Sequence, residues 1–147
     1  MPVASPAETT VVVEHQGGLA FVARGPSGHA MRMDAAAEIG GADSGPRPME
    51  MLLAALGGCS GIDVVMILNK MRVEIEGFSV RIHGVRRDEH PRIFTDIDVE
   101  YVFRGRQLEE KREQLEKAAR LSFEKYCSVA GMLSKAANMR FRVTIEE

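Results

Sequence analysis

The chain has 147 residues, of which 45% are hydrophobic and 27% charged, and its net charge is -2. That length allows one domain with a sizeable core, and the near-neutral balance, with no dense basic stripe, excludes the electrostatic footprint of a nucleic-acid binder. No uninterrupted apolar run approaches the roughly 18 residues of a membrane span.

Residues 1–8 lack the charged and apolar regions of a signal peptide and read as a disordered lead-in to a single domain over 9–147. The expected compartment is the cytoplasm, where a cysteine pair is more often reactive or inert than a structural staple. No CxxC or HxxxH spacing offers a metal site. The four histidines, His15, His29, His83 and His90, stand singly and are expected to be exposed.

The first third predicts a meander. Thr9 to Gln16 and Leu19 to Arg24 form a hairpin across Gly17-Gly18, and His29 to Met33 forms a third strand. A small-residue loop leads to Pro48-Met49-Glu50, where proline and an acid suit a first helical turn. This helix is expected to end at Gly57-Gly58. A second one, from Cys59 to Met71, is apolar nearly all round and therefore calls for burial on every side, against a sheet and quite naturally against a second subunit.

Period-two alternation then marks strands around Phe78 to His83 and Asp96 to Phe103, and a last one around Phe141 to Glu146, all expected to pair antiparallel. Between the last two lies an amphipathic helix from about Arg106 to Tyr126, striped by Leu108, Leu115, Ala119, Phe123 and Tyr126, with outer pairs Glu113–Lys117 and Glu116–Arg120. A short helix from Ser128 to Ala137 follows. The order βββ-αα-ββ-αα-β is that of an α+β domain.

Chemistry concentrates at two cysteines, Cys59 and Cys127, each at an expected helix start. A helix N-terminus favours the thiolate through its dipole and free N–H groups. Two such thiols suggest a nucleophile and a partner that resolves its oxidised form. Asp63 falls one turn beyond Cys59 on the same helix face. It is either a polar group at a subunit interface or an influence on the thiol. Glu50 and Arg47 flank the helix start, as an ordinary first-turn acid and a solvated base or as supporting residues of the site. Met49, Met51, Met66 and Met132 fit core positions or an apolar pocket lining.

The blocks Pro48-Met-Glu-Met-Leu-Leu-Ala-Ala-Leu-Gly-Gly-Cys59-Ser and Tyr126-Cys127-Ser-Val resemble the OsmC/Ohr family, the osmotically induced and organic hydroperoxide resistance proteins. The resemblance runs from the first hairpin to the final strand. It implies an intertwined homodimer, with antiparallel sheets wrapped around central helices, and a cofactor-free thiol peroxidase acting in oxidative-stress defence. It implies further that Cys59 is the peroxidatic cysteine and Cys127 the resolving one, with an organic hydroperoxide as substrate and an external dithiol as reductant. The family's activating arginine near the first hairpin is replaced by Leu19, which leaves Arg24, Arg32 or Arg47 to supply a guanidinium. The other reading of the chain is a non-catalytic or redox-sensing dimer that binds an apolar small molecule between its helices.

Overall fold

The computed structural model describes residues 7–147; the lead-in expected over 1–8 lies largely outside the described residues. Two compact units are present, one ending at Met51 and one spanning Leu52–Glu147.

The first unit is the expected meander. Strands β1 (Val12–His15), β2 (Phe21–Arg24) and β3 (Ala30–Met33) pair antiparallel in the order β1-β2-β3. Gly17 and Gly18 both adopt positive φ, 93° and 55°, in the turn between β1 and β2, a conformation that costs glycine little. Beyond β3, the chain from 34 to 46 winds around one carboxylate. Buried Asp34 accepts hydrogen bonds from the N–H groups of Ala35, Ala42 and Ser44 and from the Ser44 hydroxyl, at 2.7–3.2 Å. The Ser44 hydroxyl above all, with these N–H groups, pulls the Asp34 carboxyl down to about 2. Arg47 then precedes the helix α1 (Pro48–Met71), and its N–H donates to Glu50 Oε1 at 3.0 Å. This is the reciprocal half of a capping box, which satisfies an amide the helix leaves free.

α1 corrects the expected pair of helices, because it runs unbroken for 24 residues through Gly57-Gly58. The glycines serve close packing here. A Cβ on Gly57 would come within 2.9 Å of Ile82 Cδ1, and one on Gly61 would touch Val80 and Phe78. Cys59 therefore lies in mid-helix, and the helix-start setting belongs to Cys127 alone. Among the described residues α1 is long and apolar enough to cross a membrane, a length that the expected break had hidden. Its buried stripe, Leu56, Ser60, Val64 and Leu68 at i,i+4 spacing, is that of a core helix packed against its own chain.

In the second unit β4 (Gly77–Arg86), β5 (Phe94–Arg104) and β6 (Asn138–Glu146) form a sheet in the order β4-β5-β6. The β4–β5 pair is antiparallel as expected, but β5 and β6 run parallel. The helical segment between them carries the chain back to its starting end, as a parallel connection requires. A register shift at Val85/Arg86 accommodates one extra residue in β5, so Phe94 and Ile97 both turn inward with Val99, Tyr101 and Phe103. Gly84 makes room for the Phe94 ring, since a Cβ there would meet it at 2.7 Å.

The amphipathic segment resolves into a 3-10 turn (Leu108–Lys111), α2 (Arg112–Leu121) and a π-helical turn (Ser122–Tyr126), followed by α3 (Ser128–Leu133). Leu108, Leu115 and Ala119 are buried as expected, with Phe123 half-buried, but the wider π turn leaves Tyr126 exposed. Glu116 pairs with Arg112 rather than with Arg120.

Candidate active site

Four elements of the second unit converge on the two cysteines. α1 carries Cys59, Ser60 and Asp63, β5 carries Tyr101, the π turn carries Ser122, and Cys127 caps α3. The π turn positions the second cysteine directly, because the Cys127 N–H donates to the Ser122 carbonyl at 2.8 Å. Cys127 is the N-cap of α3, and its sulfur accepts from the Ala130 N–H at 3.3 Å. Both cysteines are free thiols; Cys59 is half-buried and Cys127 is buried.

The helix start does not win at Cys127. Burial pushes its thiol well above the ordinary range, against the lowering effect of the Ala130 N–H, and the neighbouring Cys59 side chain pushes in the same direction as burial. The two side chains thus lie beside each other, which spacing alone could not establish.

A chain of hydroxyls links the elements that carry them. The Tyr101 hydroxyl is 2.6 Å from Ser60 Oγ, Ser60 Oγ is 2.8 Å from Ser122 Oγ, and Ser122 Oγ donates to Asp63 Oδ2 at 2.9 Å. Ser60, Tyr101 and Ser122 are all buried. Each hydroxyl has one proton to give. With the Ser122 proton spent on the carboxylate, Ser60 donates to Ser122 and Tyr101 donates to Ser60. Burial drives the Tyr101 hydroxyl up to about 12, although the Ser60 bond pulls the other way. Asp63 is therefore a hydrogen-bonded member of the site, and its partner is a hydroxyl rather than a cation.

The sequence reading missed Ser60, Tyr101 and Ser122. A faint signal exists for two of them. Ser122 continues the apolar stripe of Leu115 and Ala119, and Tyr101 puts a hydroxyl on the inward face of β5. Arg47 and Glu50 belong to the first unit, where the Arg47 guanidinium bonds Asp43 at 2.6 Å and the Gly45 carbonyl at 3.0 Å. Arg32 donates to Ser44. Two of the three candidate guanidiniums are thus engaged in ordering their own loop. No cluster of His, Cys, Asp or Glu suited to a metal ion occurs among the described residues, and all four histidines are exposed.

Comparison with known proteins identifies the family and the fold. The family model described as OsmC-like protein matches residues 41–142. Protein YhfA of Escherichia coli K12 is 46% identical over 122 residues, covering 83% of this chain and 87% of its own. A crystal structure of a hypothetical protein from Aquifex aeolicus superposes with a TM-score of 0.78 at 33% identity, over 97% of this chain and all of that one. The fold is also that of an organic hydroperoxide resistance protein OsmC from Legionella pneumophila, at TM-score 0.67, 12% identity, and coverage of 96% and 99% of the two chains. The chain belongs to the OsmC-like family.

Proposed function

We propose that this protein is a cysteine-based peroxidase that reduces organic hydroperoxides in oxidative-stress defence. The observation that carries the reading is a half-buried thiol, Cys59, beside a buried one, Cys127, in a chain of the OsmC-like family. The Cys59 thiolate attacks the distal peroxide oxygen. The O–O bond breaks, the alkoxide leaves as an alcohol after taking a proton, and Cys59 becomes a sulfenic acid. The Cys127 sulfur then attacks the Cys59 sulfur, a disulfide forms, and the hydroxyl departs with the Cys127 proton as water. An external dithiol reduces the disulfide by exchange. Asp63 supports the pair, while Arg47 and Glu50 order the chain that enters α1.

The working form is a cytoplasmic homodimer of one OsmC-like domain over 9–147. The apolar face of α1 that one chain leaves open, Ile62, Val65 and Met66, supports the dimer. Its neighbourhood also keeps the alternative reading in view: an open apolar groove of about 440 Å³ lies between this face and Phe78 and Val80 of β4, suited to an apolar molecule.

The test is dithiol-dependent consumption of cumene hydroperoxide. Wild type turns over, Cys59→Ser falls to the buffer rate, and Cys127→Ser holds a sulfenic acid after one equivalent of peroxide, read by mass spectrometry. Equal turnover by wild type and Cys59→Ser removes the peroxidase reading in favour of the binding one.

A further inference from the structure

The two cysteines stand on different elements, and nothing in the backbone of either fixes their separation. A disulfide closes only within a narrow range of Cα separation and torsion, so some contact must hold α1 and the π turn in one register. Apolar packing is a poor device for that, because it is non-directional. The buried hydroxyls are directional. Ser60 directly follows Cys59, and Ser122 holds the Cys127 amide through its carbonyl.

Between these two serines runs one hydrogen bond, from the Ser60 hydroxyl to Ser122 Oγ at 2.8 Å, while the Ser60 carbonyl, at 3.3 Å, is the more distant of two acceptors for the single Ser122 proton. Asp63, one turn further along α1, takes the Ser122 proton at 2.9 Å, and Tyr101 closes the other end at 2.6 Å. No buried side-chain polar atom among the described residues is left without a partner. A slip of α1 by one residue, or an α turn in place of the π turn, would strand several of these groups at once. Such a network has one satisfied arrangement.

We propose that Ser60 and Ser122 are positioning residues, a buried polar clamp that sets the separation and facing of Cys59 and Cys127 and so fixes how readily that pair closes to a disulfide. This rests on the reading of the two thiols as a redox pair. The clamp is a property of the reduced protein and needs no peroxide. With glutathione disulfide as oxidant the reaction balances: one protein S–S bond forms, the glutathione S–S bond breaks, and the two thiol protons end on two glutathione thiols.

The experiment equilibrates the full chain in glutathione buffers and reads the Cys59–Cys127 disulfide by alkylation and mass spectrometry. Ser60→Ala and Ser122→Ala cut the clamp from opposite ends, so either one that folds, checked by circular dichroism, is decisive. Each is expected to lower the equilibrium constant for closure about tenfold, equivalent to about 30 mV. Ile97→Val, a mild truncation in the core of β5, reports what loss of stability alone does and is expected to leave the constant within about twofold of wild type.

A constant unchanged in either serine variant that folds overturns the proposal, as does a wild type that forms no disulfide, or an Ile97→Val protein that loses as much as the serine variants. Failure of the peroxidase reading is separate. If wild type consumes no hydroperoxide while the serine variants show the tenfold drop, the clamp stands and the peroxidase reading falls.

Discussion

At Tyr101 a single hydroxyl illustrates how burial and bonding divide the work. The ring fills the core between α1 and β6, edge-on to Phe141 at 6.0 Å, and among the described residues the hydroxyl has only Ser60 as a partner. Removing it leaves Ser60 without its donor, which by the usual cost of a lost buried hydrogen bond destabilises the protein by about 1–3 kcal/mol. The same burial gives a signature in alkali. The folded pKa, about 12, stands above the unfolded value near 10. The resulting stability is present below pH 10 and is lost as pH rises from 10 towards 12, by about 2–3 kcal/mol in all. Urea melts of wild type between pH 9 and 11.5 are expected to show that decline. Tyr101→Phe, less stable at pH 8, is expected to show a flatter one.

Among the elements, the loop from Asp34 to Pro46 and the π turn share one principle, a buried polar atom that gathers otherwise unpaired backbone. Asp34 accepts four hydrogen bonds, and no apolar side chain could organise that loop. Because its folded pKa, about 2, lies below the unfolded value near 3.9, its stabilisation is present above pH 4 and is lost as pH falls towards 2. Asp34→Asn is expected to lower Tm at pH 7 and to lose less than wild type between pH 4 and pH 2.5, with amides 35, 42 and 44 exchanging faster in hydrogen-exchange measurements. In the π turn the widened i→i+5 bond from Cys127 to Ser122 sets the direction of the second thiol, and the same widening turns Tyr126 outward.

At the scale of the whole molecule, α1 carries more apolar surface than one chain covers. Ile62 is 64% exposed and Met66 55%, while Val64 and Leu68 are sealed. Each such side chain gains about 1.5–3 kcal/mol on full burial, so several of them from each of two chains make a strong drive towards the proposed dimer. Sedimentation velocity at micromolar concentration is expected to give the dimer mass for wild type and half that mass for Ile62→Glu, whose charge would be buried unpaired. A wild type that sediments as a monomer would remove the dimer.

Most strands were legible in the sequence because alternation is a local consequence of the pleat, as in Ile97, Val99, Tyr101 and Phe103. The cysteine-bearing blocks were legible too, since Cys59 and Cys127 sit in distinctive local contexts. Three things were settled only in three dimensions. Gly57-Gly58 looked like a stop because glycine lowers helix propensity, yet the closeness of Ile82 makes it a packing surface. β6 alternates like any strand, and its parallel direction follows from where the helical crossover delivers the chain. The polar clamp joins serines 62 positions apart through a bond of 2.8 Å, and no local pattern encodes such a pairing. The sequence by itself determined which faces are apolar and which two residues are thiols. The tertiary structure decided that those thiols lie side by side on elements linked by a buried chain of hydroxyls, because burial and hydrogen-bond geometry arise only when distant segments pack.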